Sequence, residues 1–436
     1  PLCRHRPTDL ANIANSLRFV DETQRIDIVF NGHPNSISFI IMAGIYLHIP
    51  FCRNKCAYCD FYSMPLSAAR HCGGEDVFAR YARAVMLELD MRLPELHEPV
   101  YTIYIGGGTP TAMPQSVLLP MLSQLKSAVE RFNCRLSEGN SVSVPVREIG
   151  EFTIEANPED ISDNAIDRLC SVGVDRISIG VQSFDGEQLQ AVDRRHSADM
   201  SLKALETLSR SGINYSADLI YGLPGQTAES WQMQLDRLLD FRPPHFSAYL
   251  LSYEPGTRLY ALRENGRVEE ASEETAVAMY DALCKVATNR GYNHYEISNF
   301  SLPGREAVHN SSYWNLTPYL GLGCSAHSFD GEIRRINPAN LSRYLQTIER
   351  GATAADIEEE TLINRVNDNI ITALRTSGGL SIDRFRQLWG AEITAQFLKN
   401  IRSLSPSSGL ILSTDSIRIS ETHWLTADAI LREIIL

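Results

Sequence analysis

Three cysteines fall within eight residues, in Cys52-Arg53-Asn54-Lys55-Cys56-Ala57-Tyr58-Cys59, directly after Tyr46-Leu47-His48-Ile49-Pro50-Phe51. A loop with C-x3-C-x2-C spacing is short enough to wrap its thiolates around one small object. A cubane iron–sulfur cluster takes one thiolate on each iron that is not left open. Three cysteines thus hold three irons and leave the fourth free for a chelating molecule with an amine and a carboxylate. Zinc is the second reading of the triplet, with His48 as a fourth ligand, although no second C-x2-C pair follows. Chance spacing of unrelated thiols is the third. A disulfide framework is a poor fit, because the total of nine cysteines is odd and Cys3, Cys72, Cys134, Cys170, Cys284 and Cys324 are scattered.

The elements that must position this loop show a rhythm. Short β-rich runs occur at 44–49, 100–105, 152–155, 176–181, 214–220 and 245–251. Helical patterns fill the gaps at 77–92, 116–131, 162–171, 201–210 and 230–240. Strands alternating with helices predict βαβ units and a mainly parallel sheet. Periodicity alone does not choose between a barrel and an open sheet. Sites of parallel α/β folds lie at the C-terminal ends of the strands, and the polar motifs fall there. The second strand runs into Gly106-Gly107-Gly108-Thr109-Pro110-Thr111, where glycine backbone could approach a ligand or simply make a tight turn. The third ends in Glu155-Ala156-Asn157-Pro158. A carboxylate there suits a pair of ribose hydroxyls or an ion pair within the barrel. The fourth ends in Gly180-Val181-Gln182 with Arg194-Arg195-His196 beyond it, and the fifth carries Asp218.

The C-x3-C-x2-C loop after an apolar strand resembles the signature of the radical S-adenosylmethionine (SAM) superfamily. The surrounding text YLHIPFCRNKCAYCDFY, residues 46–62, is similar to the branch that holds the oxygen-independent coproporphyrinogen III oxidases and the HemW-type haem chaperones. The resemblance implies an incomplete (β/α)6 barrel of TIM type. It implies a [4Fe–4S] cluster on Cys52, Cys56 and Cys59, with the open iron binding the amino and carboxylate groups of SAM. In the superfamily an electron from the cluster cleaves the sulfonium to a 5′-deoxyadenosyl radical. Carried over by motif, the SAM cavity would be lined by Tyr46, Tyr58, Gly107, Gly108, Thr109, Glu155, Gln182, Arg194 and Asp218.

Downstream lie Tyr292-Asn293-His294-Tyr295, His309-Asn310-Ser311-Ser312-Tyr313-Trp314 and Gly323-Cys324-Ser325-Ala326-His327. Dense histidine, cysteine and large aromatics suit a flat ligand with an axial donor, such as haem. They also suit a packed connection whose histidines bond backbone carbonyls. The segment 309–314 matches the HNxxYW motif of the haem chaperones, and by that resemblance His309 is a haem-binding residue.

Composition sets outer limits. The 436 residues fit a large barrel plus a smaller module. Net charge is −13 and the isoelectric point near 5.4, which argues against a general nucleic-acid binder. The longest apolar run, 39–51, is too short for a membrane span and contains Gly44 and His48. Scattered cysteines beside an oxygen-sensitive motif fit a reducing cytoplasm.

Three regions are expected. Residues 1–42 read as an N-terminal extension, with Met42-Ala43-Gly44 resembling a natural start. Residues 43–335 form the barrel with its cluster, SAM and haem sites. Residues 336–436 form a small C-terminal domain, with helices at 341–350, 358–375, 383–388, 394–401 and 426–436 and a hairpin at 410–413 and 417–419. That pattern resembles a winged helix, and the family has a small C-terminal domain at this place. Residues 66–75 and 134–148 read as variable insertions.

Two activities compete within the resemblance. The oxidase removes two propionate carboxyls from coproporphyrinogen III. The chaperone binds haem and passes it to acceptor proteins. The oxidase extends its motif to C-x3-C-x2-C-x-C, where this chain has Phe61. The N-terminal residues do not resemble the oxidase arm, and HNxxYW is present. All three favour a haem chaperone. Its expected partners are haem, a haem acceptor such as a respiratory membrane protein, and an electron donor such as flavodoxin or ferredoxin.

Overall fold

Six parallel strands form the centre of the computed structural model, which describes residues 42–69, 76–139, 148–404 and 409–436. They are β1 (Ala43–Ile49), β2 (Val100–Gly107), β3 (Glu151–Ala156), β4 (Arg176–Gln182), β5 (Asn214–Tyr221) and β6 (His245–Leu250). All six match the β-rich runs. Helices Val77–Arg92, Gln115–Gly139, Asp163–Ser171, Ala198–Ser211 and Ala228–Leu239 lie between them in the chain. Their starts are set by side-chain caps: Asp76, Ser162, Ser197 and Thr227 each accept a hydrogen bond from a first-turn backbone N–H. The expected N-terminal extension lies outside the described residues, Met42 excepted. Within the two expected insertions, Leu66–Ala69 is a short helix and the helix Gln115–Gly139 runs on past residue 134. The rest of both, Glu148 excepted, lies outside the described residues.

Six shorter strands extend the sheet at both sides. They are β7 (Asn293–Glu296), β8 (Asn299–Ser301), β9 (Tyr319–Leu322), β10 (His327–Phe329), β11 (Arg334–Ile336) and β12 (Asp356–Glu358). The order is β12-β11-β10-β9-β1-β2-β3-β4-β5-β6-β8-β7. The sheet is therefore open, and the fold is a partial (β/α)6 barrel. Strands of three or four residues are too short to show alternation in a sequence, which is why the stretch 292–336 reads only as a connection. That connection carries the chain from β8, beside β6, to β9, which pairs in parallel with β1.

The six central strands are buried on both faces, yet their residues alternate in character. Ile45, Leu47, Ile103, Ile105, Phe152, Ile154, Ile177, Ile179, Ala217, Leu219 and Phe246 form part of the continuous apolar core. Burying each large aliphatic side chain contributes about 1.5–3 kcal/mol. The intervening positions are polar and bond one another across strands, as Tyr104 does to Glu155, Ser178 and Ser247 to Asp218, and Ser216 to His245. One face of the sheet is thus a hydrocarbon layer and the other a hydrogen-bonded barrel interior.

The helix Val308–Trp314 crosses the start of the central strands. Glu151, the first residue of β3, accepts the backbone N–H groups of Val308 and His309 at 2.9 Å each. Those are orphan donors of a helix N-terminus, and a carboxylate satisfies them with favourable charge. The buried pair Glu88–Arg92 holds β9 and β10 in place: Glu88 accepts from the Gly323 N–H, and Arg92 donates to Gly321 O and Ser328 Oγ.

Past β12 come helices Leu362–Leu374 and Ile382–Arg402 and a three-stranded sheet of Leu380–Ser381, Leu410–Leu412 and Ser416–Ile419, with a last helix Ala427–Ile434. Two helices with a small antiparallel wing give this region its winged-helix character. The two short helices expected at 383–401 run end to end, with Gly390 at φ 83° breaking the helical path between them. The start expected at Glu358 moves to Leu362, because Asp356–Glu358 pairs as a strand with β11.

Candidate functional site

The cysteine loop begins where β1 ends. Phe51–Cys52 pairs in parallel with Met64–Pro65, closing the loop at its base. Backbone bonds pin its middle: Ala57 N–H donates to Val192 O at 3.0 Å, and Leu259 N–H donates to Ala57 O at 2.8 Å. Cys59 N–H donates to Cys56 O, turning the chain between the second and third thiols. The loop's backbone is therefore tied to the segment after β4 and to the helix Arg258–Glu264.

Cys52, Cys56 and Cys59 are near enough for a charge on one to raise the pKa of another. Burial pushes the Cys52 thiol up and the Cys59 thiol up to about 11. Metal coordination deprotonates a thiol outright, so an iron cluster is the kind of partner that would hold these sulfurs as thiolates. Two donors already face them: Thr109 Oγ1 lies 3.4 Å from Cys52 Sγ, and Arg194 Nη1 donates to Cys56 Sγ at 3.5 Å. His48, the fourth ligand of the zinc reading, has both nitrogens occupied. Nδ1 meets Tyr46 Oη at 3.0 Å and Nε2 meets Tyr62 O at 2.8 Å. Among the described residues every cysteine is free.

The glycine segment approaches the loop as closely as backbone can. Gly108 N–H donates to Ile49 O and Thr109 N–H to Phe51 O, both at 2.8 Å. A Cβ on Gly108 would stand 2.6 Å from the Phe51 carbonyl oxygen, and at Gly107, with φ 111°, it would meet the His48 ring. No other residue fits either position without moving the loop.

Glu155 sits beside this segment. It accepts from Tyr104 Oη at 2.9 Å and from Gly107 N–H at 3.1 Å. Burial pushes its carboxyl up to about 7, against the pull of the Tyr104 bond and with the Asp218 charge adding to the rise. Asp218 is raised too, by burial, although Ser247, Ser178 and Ser216 donate to it at 2.7, 2.8 and 3.2 Å.

Gln182 ends β4 in the left-handed region at φ 65°, next to an irregularity in the β4–β5 register. Strained backbone of this kind is found at binding sites. Its side-chain amide and the Arg194 guanidinium crowd the space over Gly180, so a Cβ there would push against both. Arg194 Nη2 donates to Gly180 O at 2.6 Å and to Asn157 Oδ1 at 2.9 Å, while its Nε is buried without a partner. Asn157 in turn donates to Thr109 Oγ1 at 3.2 Å. Asn157 and Tyr104 are site residues that the motif comparison missed; their inward register between Thr109, Glu155 and Arg194 was the available signal. Tyr58 feels the charges of Arg194, Cys56 and Cys59, and its phenol is raised chiefly by burial.

The sequence-predicted residues of the cluster and SAM sites therefore share one end of the barrel. His309 lies deeper. Its Nδ1 meets Thr102 Oγ1 and its Nε2 meets Tyr313 Oη, both at 2.8 Å, and the residue is fully buried. Burial lowers its pKa to about 3, with the Arg176 charge acting the same way, so the ring is neutral. An aromatic path links it to the upper site: Tyr46 faces Tyr104 at 6.2 Å, Tyr104 stacks on His309 at 5.2 Å, and Tyr313 meets His309 edge-on at 5.1 Å. The bonds of the ring run to side-chain hydroxyls, not to the backbone carbonyls of the packed-connection reading.

The pattern described as the radical SAM superfamily matches residues 46–238. The heme chaperone HemW of Bacillus subtilis (strain 168) is 31% identical over 86% of this chain and 94% of its own length. The heme chaperone HemW of Escherichia coli (strain K12) is 31% identical over 74% and 82%. Radical S-adenosyl methionine domain-containing protein 1, mitochondrial, of Danio rerio is 27% identical over 92% and 88%. Among solved structures, coproporphyrinogen III oxidase (HemN) of Escherichia coli, a radical SAM enzyme, superposes with a TM-score of 0.72 over 91% of this chain and 90% of its own, at 22% identity. That likeness shows the shared fold. The cysteine loop, the open parallel barrel and these relatives agree: the chain belongs to the HemW family of the radical SAM superfamily.

Proposed function

We propose that this protein is a haem chaperone that carries a [4Fe–4S] cluster on Cys52, Cys56 and Cys59, binds SAM beside it, and receives haem for delivery to acceptor proteins. The observation that carries the cluster and SAM part is the meeting of two of the three loop thiols, Cys52 with Thr109 and Cys56 with Arg194, at the mouth of a polar barrel. The bound cluster would supply one-electron chemistry at the open iron. The chain's own residues bind and orient. Glu155 offers two carboxylate oxygens to ribose hydroxyls, Arg194 offers a free N–H to a carboxylate, and Gly107 and Gly108 let backbone come close. Family membership and the HNxxYW segment support haem as cargo. The haem acceptor is taken to be a respiratory membrane protein and the reductant a flavodoxin or ferredoxin. A reducing cytoplasm is the expected setting; among the described residues no helix is long and apolar enough to cross a membrane.

Anaerobic incubation of the reconstituted protein with coproporphyrinogen III, SAM and a reductant separates chaperone from oxidase. The chaperone reading expects no protoporphyrin after oxidation of the products, and saturable haem binding in a titration. Multiple turnover would make the protein an oxidase despite Phe61, whose side chain stands 58% exposed rather than among the thiols.

The haem site is tested through the two bonds of His309. His309→Ala is expected to weaken haem binding, but it also strands Thr102 and Tyr313 in a buried layer. Tyr313→Phe is the cleaner variant, because it keeps the ring packing and frees Nε2 for iron. If His309 is the ligand, Tyr313→Phe tightens haem binding by about two- to tenfold, the worth of one neutral hydrogen bond. Unchanged affinity in both variants would move the haem site elsewhere.

SAM affinity carries a pH signature from Glu155. Below pH 7 its carboxyl is increasingly protonated and loses one acceptor for the ribose. Affinity is expected to rise with pH from 6 to 8, changing by up to about tenfold per unit on the acid side. Glu155→Gln should bind SAM more weakly and with a flat profile. Stability without SAM runs the other way: the raised carboxyl favours the folded, protonated form, and that contribution is lost as pH rises from about 4.5 through 7. A pH-independent SAM affinity in the parent protein would remove Glu155 from the site.

A further inference from the structure

Away from the barrel mouth, three different metal-ligating side chains converge at the seam between the sheet edge and the C-terminal region. Cys284 comes from the helix Glu273–Asn289, His294 from edge strand β7, and Glu421 from the turn Glu421–Thr426. Their ligand atoms all lie within 4.8 Å of one another. His294 Nδ1 is 2.7 Å from Glu421 Oε1 and 3.9 Å from Cys284 Sγ. From this geometry we infer that Cys284, His294 and Glu421 form a binding site for a divalent transition-metal ion, with zinc the best match.

The donor set carries the choice of ion. One thiolate, one imidazole and one carboxylate suit zinc, while a hard ion such as magnesium or calcium prefers oxygen alone. A tetrahedral zinc with bonds of about 2.0–2.3 Å separates its ligand atoms by about 3.3–3.6 Å. The two distances here bracket that range, so small side-chain rotations reach it.

The histidine is already oriented as a ligand. Its Nε2 faces Ile297 O at 3.4 Å, the backbone contact that commonly fixes the tautomer of a metal-bound imidazole and leaves Nδ1 for the ion. The ring is held between Phe300, stacked at 4.0 Å, and Trp424, edge-on at 4.4 Å. Tyr280 Oη donates to Glu421 O at 3.0 Å and steadies the turn that carries the carboxylate. On binding, the Cys284 S–H bond and the proton-bridged contact between His294 Nδ1 and Glu421 break, the sulfur, nitrogen and oxygen bond to the metal, and both protons leave to solvent; no electron moves. The ion would add a clasp to the seam, where Ser377 N–H donates to Tyr295 O and Ile297 N–H to Arg375 O.

Zinc analysis of the cluster-loaded full-length protein, incubated with zinc and desalted, tests the site. One zinc per chain is expected, with the iron content unchanged. Cys284→Ser is expected to lose that zinc, and Glu421→Gln to bind it about 10–100-fold more weakly. A chain with Cys52, Cys56 and Cys59 all replaced by serine should still hold one zinc, because the site does not use the loop. Zinc-edge X-ray absorption should show one sulfur and one imidazole nitrogen on the metal. The inference is overturned if zinc is not retained, or if Cys284→Ser retains it as well as the parent. Either result would leave His294–Glu421 as an ordinary hydrogen-bonded pair beside a half-buried thiol.

Discussion

Replacing Cys56 by alanine is expected to abolish the iron–sulfur chromophore while leaving the protein folded. Two thiolates cannot hold a cubane that needs one on each closed iron, so loss of the ligand is close to all-or-none. The fold should survive because the loop does not depend on this side chain. Its turn is a backbone bond from Cys59 to Cys56, and its flanks are tied through Ala57 to Val192 and Leu259. The Cys56 sulfur accepts a weak donation from Arg194 at 3.5 Å, which alanine cannot replace. Stability of the apo-protein should therefore fall by about 1–3 kcal/mol, the cost of one buried donor left without its acceptor. After anaerobic reconstitution, the visible sulfur-to-iron absorption and the bound iron should both disappear. A spectrum identical to the parent would show that Cys56 is not a ligand. Loss of both the spectrum and the thermal transition would mean that the loop needs its thiol to fold, and would send the test to Cys59→Ser.

The cysteine loop was readable because its chemistry is local: three thiols in eight residues meet whatever the rest of the chain does. Glu155, Gln182, Arg194 and Asp218 are far apart in sequence. Their motifs aligned them with a family, but only the parallel sheet brings them to one end. Alternation was a further signal. Thr102-x-Tyr104-x-Gly106, Glu151-x-Thr153-x-Glu155, Arg176-x-Ser178-x-Gly180 and His245-x-Ser247-x-Tyr249 repeat a polar or small residue at every second place. In strands bounded by helices that pattern means a polar barrel interior. It would have found Tyr104 and the serines around Asp218. The strands β7 to β12 were hidden for another reason. Each is three or four residues long, too short to show a period of two, and the group joins the sheet only through the distant pairings of β8 with β6 and β9 with β1. The bond of His309 to Thr102 was hidden because Thr102 is 207 residues from it, whereas its bond to Tyr313 joins neighbours one turn apart on a single helix.

Arg194 is where the second large effect is expected. Its guanidinium is a hub: Nη1 faces Cys56 Sγ, and Nη2 donates to Asn157 Oδ1 and Gly180 O. Nε alone is buried without a partner. A buried N–H left unpaired is costly, and an incoming anion that accepts from it recovers that cost. On the proposed reading, the carboxylate of SAM would bind next to the thiols and is an anion of the right size. A hydrogen bond between charged groups contributes about 1.5–3 kcal/mol, so Arg194→Leu should weaken SAM binding by about 10–150-fold. Arg194→Lys should fall between, since a single ammonium replaces a planar fork of donors. The cluster must stay for the reading to hold, because the three cysteines are untouched. Equilibrium SAM binding and bound iron, measured on the same samples, separate the two roles. Weaker SAM binding at full iron content supports Arg194 as a carboxylate anchor. Iron and SAM lost in parallel would mean that Arg194 acts by holding the loop, and unchanged SAM affinity would remove it from the site.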